Sequence, residues 1–392
     1  MITFIYYLIH VVLLLIFIKT SNILSKCKDM YYWKKCIPII LCYSLEEGMR
    51  WARDIDWTLY YGVYEELSYG TSDFSFEFLF YFLFKTTAIL GLPYSTFVAF
   101  CSFMWIFALC YFIRPYKKCI KYFLPICLLY FTVMASNAFR WYLAMSFFLI
   151  ALRNLIDGRL RICIIFFFCT LGTHTAAFFM SLISVFLIVT AKNILLLKPI
   201  FVVIISLLLI LFFNIEFIQN YINIFKYFST ERFDTYFNNE EQWFYSETHK
   251  GDRKNIIEYM LLMIPFYLIL FTSYRLQMGK IIQDGNLFYN ILIIWILFRS
   301  ITSGIELLQR MSMYYEFVFV LMIAFTLVNR NNPTISSSRM LLIVVILFVM
   351  YKGYIGFFKP YGNEELMKYL WNSNLKSPKE ARYIYLNQSS NN

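Results

Sequence analysis

Three cationic or protonatable side chains stand at the ends of apolar runs, where they can reach a polar ligand. Arg140 lies in SNAFRWY, His174 in CTLGTHTAAFF and Arg310 in ELLQRMSMYY. Arginine binds phosphate bidentately and keeps its charge when partly desolvated, and histidine exchanges a proton near neutral pH. If their helix ends lie on one face, these residues predict a site for an anionic ligand.

Simpler roles fit the same three residues. Arg140 and Arg310 are also typical of arginines that extend to lipid headgroups and have no role beyond setting the topology. His174 also fits a polar residue that packs between helices. Residue type alone leaves both interpretations open.

The composition indicates the elements that must position these residues. Of 392 residues, 60% are apolar, 21% aromatic and only 15% charged, and the mean hydropathy is +0.61. Soluble domains carry about 25% charged residues, so a cytosolic enzyme, a disordered chain and a coiled coil are excluded. Long apolar runs without period-two alternation favour helices over a β-barrel. The predicted fold class is therefore all-α, a polytopic membrane helical bundle.

About twelve membrane spans are predicted, some of them shorter than the ~20 residues that a full span needs. They lie at about 2–18, 36–46, 94–113, 122–136, 141–156, 162–173, 175–190, 199–215, 256–272, 287–300, 313–328 and 340–352. The run 76–92 carries Lys85 at its middle, which costs at least ~2.5 kcal/mol at bilayer depth. We therefore predict a re-entrant or interfacial segment there.

Lys and Arg concentrate in alternate loops, for example 19–35, 114–121 and 153–161. By the positive-inside rule these loops face the cytoplasm. The loops 47–75 and 216–255 and the tail 353–392 then face outward. We expect residues 1–352 to form one transmembrane domain that carries these two long loops.

The two long outward loops interleave aromatic residues with acids and amides, as in WTLYYGVYEEL and NNEEQWFYSE. Aromatic rings stack on sugar faces while carboxylates and amides bond hydroxyls. Tyr60, Trp243 and Tyr245 are therefore candidate sugar contacts. An interfacial aromatic belt is the alternative for each of them.

Neither a metal nor a cofactor is expected. The three histidines are scattered, and the nine cysteines form no CxxC motif and do not fall in the outward loops. The net charge of +11 is distributed over the predicted cytoplasmic loops, so no nucleic-acid partner is expected either.

Five motifs follow one another along the chain. They are Gly48, Arg50, Asp56 and Tyr60 in GMRWARDIDWTLY; Phe76 and Glu77 in FSFEFLFYFL; Arg140 and Ala144 in NAFRWYLAMSFFL; His174 in GTHTAAFFMSLI; and Arg310, Tyr314 and Tyr315 in QRMSMYYEF. Their order resembles the EpsG-like members of the bacterial O-antigen and exopolysaccharide polymerases (Wzy). The resemblance covers roughly residues 45–320.

The resemblance implies a membrane glycosyltransferase of GT-C-type architecture that needs no cofactor. Its substrates are an undecaprenyl-pyrophosphate-linked oligosaccharide donor and acceptor, and its site faces the periplasm from the inner membrane of a bacterium. Its further partners are membrane lipid and a chain-length regulator protein. A lipid-linked glycan flippase or transporter and an O-antigen ligase are the alternatives.

The resemblance also implies roles for individual residues. Arg140, Arg310 and Arg50 would bind the pyrophosphate. His174, Asp56 and Glu77 compete for the role of catalytic base, and Tyr314 joins the aromatic residues of the long loops as a sugar contact.

Overall fold

The computed structural model describes residues 2–53, 55–70, 76–212, 256–302, 311–331, 339–358, 367–381 and 383. Most of these residues are helical, and within these ranges the β-structure is one isolated bridge. The all-helical prediction is therefore confirmed for this part of the chain.

Apart from Ile55–Ser68, which lies in a predicted loop, the longer helices of the first half correspond to the predicted apolar runs. They are α1 Ile2–Leu24, α2 Tyr32–Met49, α3 Ile55–Ser68, α4 Phe78–Ile89, α5 Tyr94–Ile113, α6 Lys117–Asn137, α7 Phe139–Ile156, α8 Leu160–Thr173, α9 Ala177–Ala191 and α10 Pro199–Phe212. The described helices that follow are α11 Ile256–Arg275, the four-residue α12 Met278–Ile281, α13 Gly285–Ile301, α14 Glu316–Val328 and α15 Arg339–Phe358.

The first helix shows which solvent surrounds the protein. Tyr6, His10, Leu13 and Phe17 recur every three or four residues and are buried. The opposite face is exposed but also apolar, with Leu15 58% accessible. A water-soluble helix would carry polar residues on that face, so lipid is the solvent that this helix fits.

Three helical stretches are long and apolar enough to cross a membrane, namely Ile2–Leu24, Tyr94–Thr132 and Ile257–Arg275. Shorter apolar helices accompany them, including Leu160–Thr173 and Ala177–Ala191. The chain is thus a helical membrane protein. The number of spans and the GT-C architecture stay predictions.

The segments 47–75 and 76–92, predicted as a loop and a re-entrant or interfacial run, each contain a helix. The predicted loop 47–75 contains α3, and the run 76–92 contains α4, whose twelve residues rise only about 18 Å. A full span needs about 30 Å. Lys85 is exposed on α4. These observations agree with a re-entrant or interfacial segment, which stays a prediction.

The chain forms two compact units, Met1–Val185 with Ile346–Asn392, and Phe186–Val345. In the first unit α7 is the central helix, since every residue from Trp141 to Ile156 is buried, and it packs against α5 and α8. In the second unit α14 is central, buried from Glu316 to Thr326. The predicted division into a membrane domain and a tail remains a prediction.

Candidate functional site

An ion pair joins the starts of two helices in the first unit. Arg140 lies in the first turn of α7, and Glu77 immediately precedes α4. The Arg140 Nη1 donates to Glu77 Oε2 at 2.9 Å, and the two side chains are 21% and 13% exposed. The guanidinium carbon also lies 5.7 Å from the centre of the Phe76 ring. The pair is therefore partly desolvated yet still reachable from outside.

Aromatic rings continue from this ion pair into the predicted sugar-binding segment. The Tyr60 ring centroid lies 5.5 Å from that of Phe76 and 5.8 Å from that of Phe80. Tyr60 is buried in the same apolar cluster, which also contains Trp57 and Tyr94. The fold thus brings Tyr60, Glu77 and Arg140 together from three motifs.

His174 lies at the same end of the helices as Arg140. The helices α7 and α8 form a hairpin through residues 157–159, so the start of α7 and the end of α8 share one end. α8 ends at Thr173, His174 is its extended C-cap, and α9 begins at Ala177. The two runs predicted at 162–173 and 175–190 are thus separate helices that meet at His174.

Gly172 lets the end of α8 approach the start of α4 closely, because it has no side chain. A Cβ on Gly172 would lie 3.0 Å from the Leu79 Cβ, which is a tight contact. Leu79 is two residues after Glu77. The close approach therefore brings the His174 end of α8 beside the ion-paired carboxylate.

Arg50 and Asp56 flank the connection between α2 and α3. The Arg50 Nε lies 3.2 Å from Glu47 Oε2, and both side chains are only 1% exposed. Asp56 is in the first turn of α3 and is half-buried. Gly48 brings this end of α2 against α5, because a Cβ there would lie 2.7 Å from the Ala99 Cβ. Arg50 is thus held at a tight helix crossing.

Beside Arg50 lies a buried polar cluster that we call the tail cluster: His10, Glu46, Arg53 and Tyr369. The Glu46 Oε1 accepts hydrogen bonds from Arg53 Nη1 at 3.1 Å and from the Tyr369 hydroxyl at 2.8 Å. The His10 Nε2 lies 3.7 Å from the same oxygen. Burial, and then the Glu46 carboxylate, raise the pKa of Tyr369, so this hydroxyl stays protonated and donates.

The main chain ties the tail to the same place. Residues Arg50 and Tyr369 form an antiparallel bridge, the Trp51 amide donates to the Lys368 carbonyl at 3.0 Å, and the Leu370 amide donates to the Met49 carbonyl at 2.8 Å. The Trp51 indole also donates to the Lys376 carbonyl at 2.9 Å. The tail segment is therefore docked against the connection between α2 and α3.

Sequence reasoning missed the tail cluster. The signal was the pair Glu46–Glu47 at the end of an apolar run, followed closely by Arg50 and Arg53. Two acids and two bases at membrane level must pair with one another, since unpaired charges there are costly. Tyr369, 323 residues further along the chain, carried no comparable signal.

The remaining predicted residues lie elsewhere. Tyr314 belongs to a short 3₁₀ turn at Met313–Tyr315 in the second unit and is fully buried. Arg310, Trp243 and Tyr245 fall outside the described residues. The structure therefore gathers Tyr60, Glu77, Arg140 and His174 at one end of the first unit, with Arg50 and Asp56 around the connection from α2 to α3.

A family model described as the EpsG family matches residues 35–371 of the chain. The chain belongs to the EpsG family. This confirms the resemblance that the order of motifs indicated. No curated protein and no solved structure gives a significant match.

The EpsG match includes Glu77, Arg140 and His174. It begins within α2 and ends at Trp371, so it includes Tyr369 but neither His10 nor Lys376. Membership indicates a membrane polysaccharide polymerase of glycosyltransferase type that acts on lipid-linked oligosaccharides.

Proposed function

We propose that this EpsG protein polymerises lipid-linked repeat units into O-antigen or a related surface polysaccharide. The growing glycan passes from undecaprenyl pyrophosphate to a hydroxyl of the next lipid-linked unit at the periplasmic face of the inner membrane. The observation that carries the proposal is the partly desolvated Arg140–Glu77 pair, with Tyr60 next to it through Phe76.

Arg140 suits the pyrophosphate of the donor. A guanidinium presents five N–H donors in a planar fork, so it can bond a carboxylate with one nitrogen and a phosphate with others. The bond to Glu77 uses Nη1 and fixes the orientation of the fork. Neutralising the charge that develops on the leaving pyrophosphate is the largest assistance that this transfer needs.

The transfer balances without a cofactor. The acceptor hydroxyl oxygen attacks the anomeric carbon, the bond from that carbon to the pyrophosphate oxygen breaks, and the hydroxyl proton passes to a base. The Glu77 carboxylate is already bonded to the Arg140 guanidinium through Oε2. We assign the base to His174, with Asp56 as the alternative.

Arg310 and Arg50 are also assigned to the pyrophosphate. Arg310 is assigned to the pyrophosphate by its motif. Arg50 is the third candidate, but it is buried against Glu47, so direct contact requires the α2–α3 connection to move. Tyr60, Trp243, Tyr245 and Tyr314 are assigned to the sugars, and a chain-length regulator is the expected protein partner.

The test is the surface-glycan ladder of a deletion strain complemented with wild type, Arg140→Ala, His174→Ala or Arg159→Ala. Arg159 is exposed at the opposite end of α8 and serves as the matched control. We expect deletion to leave lipid A core capped by one repeat unit. Wild type and the Arg159 variant restore the ladder, and the other two variants do not, at equal amounts in membranes.

Two outcomes would overturn parts of the proposal. Core without any added sugar in the deletion strain would identify a ligase or flippase instead of a polymerase. A full ladder in the Arg140 or His174 variant would return that residue to a structural role.

A further inference from the structure

A cleft of about 390 Å³ lies in the second unit, between the end of α11 and the start of α13. This volume falls within the roughly 300–1,000 Å³ of small-molecule sites. It is lined by Leu195, Ser273, Tyr274, Arg275, Gln277, Met278, Gly279, Lys280, Asn286 and Tyr289. None of these residues belongs to the site proposed above.

One wall of the cleft is held rigidly by side chains of α13. Asn286 donates to the Asn193 carbonyl at 2.9 Å, and the Tyr289 hydroxyl donates to the Leu197 carbonyl at 3.1 Å. The fully buried Asn290 accepts from the Leu196 amide at 3.1 Å and donates to the Ile194 carbonyl at 2.7 Å. These bonds fix the non-helical segment 192–198, so this wall of the cleft is preformed.

The polar lining favours an anion. Arg275 and Lys280 are basic, and none of the described residues that line the cleft is acidic. The nearby Asp284 is paired with Lys192 at 3.3 Å, so its charge is compensated. Ser273 is fully buried, and its Oγ has no hydrogen-bond partner among the described residues. A buried hydroxyl without a partner is costly unless a ligand or water completes it.

Exposed apolar side chains accompany the cations. Leu195 lines the cleft and is 46% exposed. Ile281 does not line the cleft, but it follows Lys280 in the chain and is 41% exposed. A free phosphate ion has no apolar group that could pack against these side chains. The acyl chains of a lipid do, because removing apolar surface from water is favourable.

We propose that this cleft binds the phosphate of an anionic membrane lipid. Arg275 and Lys280 contact the phosphate, the Ser273 hydroxyl donates to one of its oxygens, and the acyl chains lie along Leu195 and Ile281. The cations belong to a loop that the positive-inside rule places at the cytoplasmic face. The lipid therefore anchors the second unit at the cytoplasmic face.

The test uses the purified full chain in a neutral detergent. Dioctanoyl phosphatidylglycerol, dioctanoyl phosphatidylcholine and inorganic phosphate are titrated separately while the thermal unfolding temperature is followed. We expect only phosphatidylglycerol to raise this temperature in a saturable way, since a ligand that binds the folded state stabilises it. The double variant Arg275→Gln/Lys280→Gln should weaken the apparent affinity about tenfold or more, and Ser273→Ala should weaken it less.

The matched control is Arg159→Gln/Arg161→Gln, which removes two exposed cations that do not line the cleft. It should bind phosphatidylglycerol like the wild type. Lys280→Gln alone serves if the double variant is unfolded, and it should still lower the affinity.

Equal loss of affinity in the control pair would show non-specific electrostatic attraction and overturn the proposal. Stabilisation by inorganic phosphate equal to that by phosphatidylglycerol would overturn the lipid assignment, and no stabilisation by either would overturn the site.

Discussion

At the scale of single residues, the structure changes what Glu77 is expected to do. The sequence offered it as one of three candidate bases. The structure pairs it with Arg140 at 2.9 Å and places both beside the Phe76 ring. Through this charge-assisted hydrogen bond the carboxylate fixes the orientation of the guanidinium. Glu77 is better explained as the residue that orients the Arg140 guanidinium.

The first prediction concerns this pair. We expect Glu77→Gln to lower the polymerisation rate about 10–100-fold, because a charge-assisted hydrogen bond contributes about 1.5–3 kcal/mol. Arg140→Lys should lower it similarly, since an ammonium keeps the charge but loses the fork. The measurement is glycan chain formation from lipid-linked units by purified variants at several donor concentrations.

A double-variant cycle shows whether Glu77 acts by orienting Arg140 or contributes to catalysis independently. If Glu77 acts through Arg140, Glu77→Gln/Arg140→Ala should be no slower than Arg140→Ala alone. Multiplicative losses in the double variant would contradict this coupling. Lys85→Gln, an exposed cation on the same helix α4, is the control and should leave the rate unchanged.

At the scale of helices, two close approaches decide the geometry of the candidate site. Gly172 lets α8 touch α4 at Leu79, and Gly48 lets α2 touch α5 at Ala99. Small residues permit such contacts between membrane helices, where van der Waals packing is the main attraction. The end of α2 carries Glu46, Glu47 and Arg50, so its distance from α5 also sets the place where the tail docks.

The second prediction follows from Gly48. We expect Gly48→Ala to destabilise the protein by about 1–3 kcal/mol, because the new Cβ would lie 2.7 Å from the Ala99 Cβ. Adding Ala99→Gly should restore part of the loss, since it removes that contact but leaves the Ser95 carbonyl oxygen at 3.1 Å. Thermal unfolding of the purified variants measures both effects.

The control for this experiment is Gly62→Ala in α3. Nothing lies within 4 Å of a Cβ at that position, so the substitution should be neutral or stabilising by up to about 1 kcal/mol through helix propensity. An unfolding temperature of Gly48→Ala equal to that of Gly62→Ala would refute the close crossing of α2 and α5.

At the scale of the whole molecule, the charge distribution decides the orientation in the membrane. The Lys- and Arg-rich loops are expected inside the cell, and α3 with the docked tail outside. The nine cysteines are free and are buried or half-buried, so new cysteines can be labelled against a low background.

The third prediction is that Tyr69→Cys reacts with a membrane-impermeant maleimide in spheroplasts, whereas Arg159→Cys reacts only after permeabilisation. Tyr69 is 81% exposed at the end of α3, and Arg159 is exposed before α8. Labelling of Arg159→Cys from outside would invert the topology. It would also place the proposed glycan site, which lies in the same unit as Arg159, at the inner face.

The sequence by itself determined the helical membrane class, most helix positions and the family. Apolar length and loop charge are local properties, so they can be read without knowing which helices meet. The short run 76–92 and the break at His174 are visible for the same reason. The order of motifs is also a property of the chain, and the EpsG match confirmed it.

Only the tertiary structure decided which of these residues act together. Glu77 and Arg140 are 63 residues apart, and Glu46 and Tyr369 are 323 residues apart. A charged residue near a membrane must find a partner, but its sequence does not say which of many candidates that is. The choice follows from close helix contacts at Gly48 and Gly172, where a single Cβ would separate the helices.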